Sequence, residues 1–164
     1  MRSTAKLMLI FTLAFGTVSI TVPSAEAAPT LRSAAMASAK TQKGAKYVYG
    51  REGGYSKGYD CSGLIKWSYK QHGKTLPRTA QQQYNSSKHI AAKDRKPGDL
   101  IFIADGKNPK KIYHVGIFTG VHNGKGYMIN ANTGSYRGRK VVEAPVIEYT
   151  KGKPQEYYGY YGQR

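Results

Sequence analysis

Acidic side chains are scarce in this chain of 164 residues. Nine Asp and Glu stand against 26 Lys and Arg, which gives a formal net charge of +17. A field of this sign attracts polyanions and speeds their association. No nucleic-acid recognition motif accompanies the charge, so we expect no specific nucleic acid as partner. If the chain is exported, as its first residues indicate below, anionic wall polymers or a membrane surface are the expected partners. The alternative is that dispersed lysines only maintain solubility.

The sequence also lacks an apolar run of about 20 residues, the length that spans a bilayer. The apolar segment 7–22 follows two basic residues and ends at Pro23-Ser24, and Ala25-Glu26-Ala27 then supplies the small residues of a cleavage site. We therefore predict a signal peptide over residues 1–27 and a mature protein that is secreted, cell-wall associated or periplasmic. A retained membrane anchor is the alternative.

Cysteine is nearly absent, since Cys61 is the only one. A single thiol excludes an internal disulfide, and no closely spaced set of ligands indicates a metal site. We expect neither a metal nor an organic cofactor. A lone cysteine is most often a small buried core residue. In an exported protein, however, an unpaired thiol favours a functional role for Cys61.

The residues around Cys61 predict an amphipathic helix. Asp60 is a suitable N-cap, Gly73 ends the helix, and apolar or small residues share one face at positions 61, 64, 65, 68 and 69. The N–H groups and dipole of a helix start favour thiolate over thiol. Cysteines in such positions have pKa values of roughly 3.5–7.5.

His114 is the best candidate for a general base acting on Cys61. It begins a strand of otherwise apolar and small residues, whereas His72 lies three turns along the cysteine's own helix, and His89 and His122 lie in polar segments. The fold would have to bring His114 to the thiol. The alternative is a buried histidine satisfied by the core.

A general base of this kind is usually oriented by a third polar group, which bonds its other ring nitrogen. Asn130 is well placed for that role, because it lies in the strand predicted to pair with residues 113–120. Asn132 shares its face of the strand and is the second choice.

Helical patterns come first in the chain and strand patterns follow, which is an α+β order. Residues 28–44 hold a first helix that begins at Leu31, residues 50–58 form an irregular glycine-rich loop, and Thr79 to Gln82 open a short helix with a capping box. Strands are predicted over 99–103, 113–120, 126–131, 141–149 and 157–161, with Asn123-Gly124 as a hairpin turn.

Five segments together resemble the NlpC-type (NlpC and p-sixty) cell-wall cysteine peptidases, a papain-like family. They are Tyr47-Val48-Tyr49-Gly50, Asp60-Cys61-Ser62-Gly63, Leu76-Pro77-Arg78-Thr79, Pro97-Gly98-Asp99-Leu100 and His114-Val115-Gly116-Ile117. The resemblance runs from about residue 31 to the C-terminus. It implies a papain-like α+β fold, in which a catalytic domain over 45–164 packs the nucleophile helix on a mostly antiparallel sheet of five to six strands.

The resemblance also implies an exported endopeptidase that cuts peptidoglycan stem peptides, typically at the γ-D-glutamyl bond to a diamino acid. Cys61 would be the nucleophile and His114 the base. The Tyr47 hydroxyl, with the Cys61 backbone N–H, would stabilise the oxyanion. Asp60 and Ser62, which flank the nucleophile, are candidate substrate contacts.

Two positions depart from the family pattern. Asn130 stands where histidine is common, and Arg51 replaces a second glycine after the first segment. An asparagine can still hold a ring tautomer, so we expect activity to survive. Two other functions stay open: an amidase that cuts between sugar and stem, and a non-enzymatic cationic wall binder. We expect a monomer in each case.

Overall fold

The computed structural model describes residues 28–134, 136–151 and 155–163. The predicted signal peptide, residues 1–27, lies outside the described residues. Within the part that is described, no helix has the length and apolar character needed to cross a membrane.

Five α-helices occur among the described residues. They are α1 (Leu31–Thr41), α2 (Gly54–Lys57), α3 (Cys61–Lys70), α4 (Ala80–Ser86) and α5 (Ile147–Thr150). The predicted capping residues at the starts of α1 and α4 are present. Thr30 caps α1 by accepting the Ser33 N–H at 3.3 Å. Thr79 and Gln82 form the reciprocal capping box at the start of α4.

Six strands form one sheet in the order β1-β6-β2-β3-β4-β5, and every neighbouring pair is antiparallel. They are β1 (Lys88–Ile90), β2 (Leu100–Ala104), β3 (Ile112–His122), β4 (Lys125–Ala131), β5 (Val141–Pro145) and β6 (Glu156–Tyr160). Asn123 and Gly124 join β3 to β4 with positive φ angles of 50° and 73°, as a two-residue hairpin requires. The predicted α+β class, with helices and a mostly antiparallel sheet, is confirmed.

Both faces of the sheet are covered. On one face α1 and α3 pack against the central strands, and Ala35, Ala39, Leu64 and Ile65 are fully buried there. A smaller cluster on the other face holds alternate strand residues, including Ile101 and Ile103. Coverage of both faces explains why β2 is a continuous apolar run rather than an alternating one.

Two predicted segments were wrong in part, and one short strand was missed. Residues 50–58 are not wholly irregular, because 54–57 form the helical turn α2. The predicted strand 141–149 ends at Pro145, and α5 follows it. Strand β1 was not predicted, since its three residues are held by pairing with β6 at the far end of the chain.

Candidate active site

The nucleophile candidate lies at the start of α3, which two contacts of Asp60 fix in place. One carboxylate oxygen accepts the Gly63 N–H at 2.7 Å and so caps the helix. The other accepts the Gly50 N–H at 2.9 Å, which ties the helix to the loop after Tyr49. Cys61 is 9% exposed and lines a cleft of about 390 Å³.

The thiol lies against β3. Its Sγ is 4.0 Å from the carbonyl oxygen of Tyr113, and the backbone N–H of Val115 is close enough to act on its pKa. These two residues flank His114. The fold therefore brings the thiol to the part of β3 that carries the predicted base.

The imidazole of His114 is buried and held in one tautomer. Its Nε2–H donates to Oδ1 of Asn130 at 3.0 Å, and the amide nitrogen of Asn130 donates to the Val142 carbonyl at 3.4 Å. Because Oδ1 can only accept, the proton resides on Nε2 and Nδ1 keeps its lone pair. The predicted contact between Asn130 and the ring is thus present in the structure.

The second choice, Asn132, does something different. It is 1% exposed, and its amide nitrogen donates to the carbonyls of Tyr136 and, at 2.9 Å, Gly138. Its Oδ1 accepts the Gly134 N–H at 3.0 Å. Asn132 therefore orders the loop between β4 and β5 rather than the imidazole.

Tyr149 was not predicted as part of the site. Its ring stacks on His114 with centroids 5.0 Å apart and planes 13° apart. Tyr149 belongs to α5, which the sequence had placed at the end of a strand. The imidazole thus lies against an aromatic ring on one side, and Asn130 holds its edge.

The ionisation of the pair differs from the sequence prediction. Burial, followed by the Asp60 carboxylate, raises the pKa of the Cys61 thiol above its ordinary value, although N–H groups of Val115, Ser62 and Cys61 itself lower it in part. The predicted lowering by the helix start is therefore wrong in direction. Burial also lowers the pKa of His114 to about 4. At pH 7 both groups are neutral, so the imidazole can accept a proton from the thiol.

Arg78 joins the cleft through Asp60 and Ser62. Its guanidinium pairs with the Asp60 carboxylate and donates to Ser62 Oγ at 3.0 Å. The Ser62 hydroxyl in turn donates to Asp60 at 3.3 Å. Both predicted substrate contacts line the cleft, but their polar atoms are already bonded to one another. A nearly buried N-cap carboxylate needs a cation, and that requirement is the signal that could have identified Arg78.

Tyr47 lines the same cleft and is half-buried. Burial, followed by the nearby Cys61, raises the pKa of its phenol, which is therefore a neutral hydrogen-bond donor at pH 7. The guanidinium of Arg139 lies 5.3 Å from the centre of its ring. Tyr47 is thus a phenol donor close to the thiol, as the predicted oxyanion role requires.

The other three histidines are engaged elsewhere. His72 shares a hydrogen bond of 2.9 Å with Ser38, and His89 stacks on Tyr84 with ring centres 4.1 Å apart. His122 is exposed at the end of β3. In the described ranges, no group of three His, Cys, Asp or Glu side chains could hold a metal ion.

Comparison with known proteins places this cleft in a family. The sequence profile of the NlpC/P60 family matches residues 44–153. The chain is 47% identical over 75 residues to the bifunctional muramidase/DL-endopeptidase CwlT of Bacillus subtilis, covering 46% of this chain and 22% of that protein. It is 35% identical over 116 residues to "Probable endopeptidase Cgl2188" of Corynebacterium glutamicum, covering 70% of this chain and 52% of that protein. The chain thus spans about a fifth and about half of these relatives.

Solved structures share the fold. The peptidoglycan hydrolase RipB from Mycobacterium tuberculosis superposes with a TM-score of 0.64 at 26% identity, covering 82% of this chain and 66% of that one. RipD from the same organism, described as a non-catalytic NlpC/p60 domain protein adapted to peptidoglycan binding, has a TM-score of 0.59 at 23% identity over 79% of this chain and 96% of its own. The profile covers well over half of the sequence, and the chain belongs to the NlpC/P60 family.

Proposed function

We propose that this chain is an exported cysteine endopeptidase that hydrolyses peptidoglycan stem peptides at the γ-D-glutamyl bond to a diamino acid. One observation carries the proposal: the Cys61 Sγ, at the start of α3, lies 4.0 Å from the Tyr113 carbonyl oxygen on β3, next to His114, whose Nε2–H is held by Asn130. The names of CwlT, as a DL-endopeptidase, and of RipB, as a peptidoglycan hydrolase, support the reaction and the substrate.

The chemistry begins with a neutral pair. As the sulfur attacks the scissile carbonyl, the thiol proton moves to the free lone pair of the His114 imidazole, giving a thiolate nucleophile and an imidazolium. Asn130 keeps Nε2–H bonded throughout, so the ring cannot turn away. The imidazolium then protonates the leaving amine and releases the peptide fragment.

Developing charge on the substrate oxygen needs donors. The backbone N–H of Cys61, at the positive end of α3, and the phenol of Tyr47 are proposed for this role, and each such donor is worth about 3–4 kcal/mol in comparable chemistry. Water then attacks the thioester with His114 as the base, which restores the thiol. Apart from the substrate and this water, every group that these steps use belongs to the chain itself.

We place the enzyme outside the cytoplasm, secreted, wall-associated or periplasmic, with its net charge retaining it on anionic wall polymers. The predicted signal peptide supports the location, and the 24 Lys and Arg against 8 Asp and Glu that remain after its removal support the retention. Retention on isolated walls is expected to collapse at about 1 M salt, where screening acts within about 3 Å. Retention that persists at that salt concentration would reject the electrostatic account.

Mass spectrometry of defined muropeptides after incubation with the purified protein tests the reaction. An endopeptidase leaves a dipeptide on the sugar, whereas an amidase releases the whole stem from the sugar. A sugar product that carries no peptide would show that the protein is an amidase and would contradict the proposal.

RipD gives a specific reason to consider a non-catalytic wall binder, because its description assigns peptidoglycan binding to this same fold. A binder would be retained on walls and leave every muropeptide intact. We favour the enzyme because the Cys61 thiol lines the cleft and lies against the part of β3 that carries His114, whose ring is held by Asn130.

A further inference from the structure

A second cavity, of about 890 Å³, shares no lining residue with the cleft of Cys61. It lies between the C-terminal end of α1 and the β4–β5 edge of the sheet. Lys43, His122, Arg137 and Lys140 line it, together with a single acid, Glu143. We call this cavity the basic groove.

The acid of the basic groove is already neutralised. Glu143 accepts a hydrogen bond from Lys43 at 2.6 Å and lies 3.8 Å from the ammonium of Lys40. Arg137 and Lys140 are exposed, and neither forms an ion pair with any acid of the described residues. The groove therefore presents uncompensated positive charge.

The described backbone beside these cations is anchored by a buried side chain. The buried Asn132 amide donates to the carbonyls of Tyr136 and Gly138 and accepts from the Gly134 N–H. Arg137 lies between these two carbonyl residues, and Lys140 follows Gly138 by two positions. A site with a fixed backbone loses less conformational entropy on binding than a mobile lysine surface does.

We propose that the basic groove binds a linear polyol-phosphate polymer of the cell wall. This inference assigns a location to the charge-based retention proposed above. It rests on that retention and is independent of the proposed hydrolysis. A chain of phosphates linked by carbon units suits a groove whose lining combines several cations with the carbon surfaces of Tyr127 and Val142. The volume accommodates more than a single phosphate group.

The aromatic lining argues against nucleic acid, and an anionic membrane is compared directly with the polymer in the test below. Nucleic-acid bases need an open aromatic face on which to stack. The ring of Tyr127 is covered edge-on by His122, with centroids 5.3 Å apart.

The basic groove and the active-site cleft are connected through contacts between Arg139 and Tyr47. The Tyr47 N–H donates to the carbonyl of Arg139 at 3.1 Å, and the Arg139 guanidinium covers the Tyr47 ring. One loop thus forms a wall of the basic groove and contacts a residue of the cleft. A polymer bound in the groove would keep the cleft next to the wall.

The test compares two double variants that remove equal charge. Arg137→Gln/Lys140→Gln alters the groove, and Lys70→Gln/Lys74→Gln alters two exposed lysines at the end of α3, outside it. Binding of a glycerol-phosphate oligomer is measured at about 0.1 M salt, where screening acts within about 10 Å. We expect roughly tenfold weaker binding for the groove variant and a change within about twofold for the control. An equal loss in both variants would overturn the site and leave only the general field.

A charge-neutral variant provides a second test. Asn132→Ala releases the loop without changing the net charge, so weaker binding is expected for it as well. Unchanged binding in this variant would overturn the claim that the loop is organised for the ligand. If Asn132→Ala does not fold, the two charge variants still decide the matter.

Two further arms separate the ligands and the functions. Anionic phospholipid vesicles and single-stranded DNA of equal length are measured in the same way. If either binds more tightly than the oligomer, and Arg137→Gln/Lys140→Gln weakens that binding, it would replace the proposed polymer as the ligand. Hydrolysis of soluble muropeptides is expected to be unchanged in Arg137→Gln/Lys140→Gln. Because binding and hydrolysis are measured separately, failure of the groove is distinguishable from failure of the proposed enzyme.

Discussion

At the scale of single residues, the hydrogen bond between His114 and Asn130 decides which ring nitrogen can act. Because Asn130 takes the Nε2–H at 3.0 Å, the free lone pair lies on Nδ1. Burial lowers the pKa of His114 to about 4 and raises that of Cys61. The resting pair is therefore a thiol and a neutral imidazole rather than an ion pair.

Alkylation of the single cysteine by iodoacetamide tests this resting state. Only the thiolate reacts, so the alkylation rate of the folded protein is expected to rise steadily with pH. The pH at which this rate is half-maximal should be higher for the folded protein than for the same chain in denaturant. A rate that is constant from about pH 5 to 8 would instead indicate a preformed thiolate–imidazolium pair and contradict the neutral one.

Asn130→Ala is expected to lower kcat by about 10²-fold with little change in KM, because the imidazole loses its fixed tautomer but the cleft is unaltered. Steady-state kinetics on a soluble muropeptide measures both quantities. Asn130→His, which restores a polar group of the type common in the family, should recover much of the loss. A kcat unchanged by alanine would show that Asn130 does not position the base.

The sequence predicted the identities of these residues better than their environment. The ring of His114 contacts Asn130, and Cys61 lies against β3 next to His114; each of the three could be selected because its position on a helix or strand marks it. The Arg78 contact and the Tyr149 stack were missed, since both join segments far apart in the chain. The direction of the Cys61 pKa shift was also wrong, because a local pattern reveals the helix dipole but not the burial.

At the scale of elements, the start of α3 depends on a close approach of two backbones. A Cβ on Gly63 would lie 2.0 Å from the carbonyl oxygen of Arg51 and 2.9 Å from the Asp60 carboxylate. The backbone at Arg51 must therefore pass directly over the first turn of α3. The contact explains why glycine follows Cys61-Ser62 at this position.

Gly63→Ala is expected to destabilise the protein by about 2 kcal/mol or more, although alanine favours an isolated helix by about 1 kcal/mol. Urea unfolding measures the change. Gly53→Ala is the control, because its Cβ would meet only Lys57, at 3.8 Å, and its effect should stay within about 0.5 kcal/mol. Stabilisation by Gly63→Ala would show that the close approach is absent.

Helices and central strands could be predicted because their signals are local: caps, periodicity and an Asn-Gly turn. The short strand β1 and the point at which β5 ends could not be predicted. Strand β1 is three residues long and exists through its register with β6, in which Lys88 faces Tyr160. Residues 146–149 have the composition of a strand, yet β5 ends at Pro145 and α5 follows it. The end of β5 is therefore set by tertiary packing and not by the local sequence.

At the scale of the whole molecule, the buried histidine couples folding to pH. The pKa of His114 is about 4 in the folded protein against an ordinary 6.5. Between these values the unfolded chain binds a proton that the folded chain does not, so stability is present above about pH 6.5 and is lost as the pH falls towards 4. The full difference corresponds to about 3 kcal/mol.

We therefore expect the free energy of unfolding to fall by up to about 3 kcal/mol between about pH 7 and pH 4.5. His114→Gln should show a clearly smaller fall, because glutamine does not titrate. Denaturant unfolding of both proteins across this range measures the difference. Parallel curves for the two would mean that His114 is accessible to protons in the folded state.

The central claim is that hydrolysis depends on the Cys61 thiol and the His114 imidazole, and it is tested most directly by the rate at which purified variants cleave one defined muropeptide. The account predicts that Cys61→Ala and His114→Gln each lose at least about 10³-fold in kcat/KM while retaining cooperative unfolding. Cleavage by Cys61→Ala at a rate near that of the unaltered protein would contradict it.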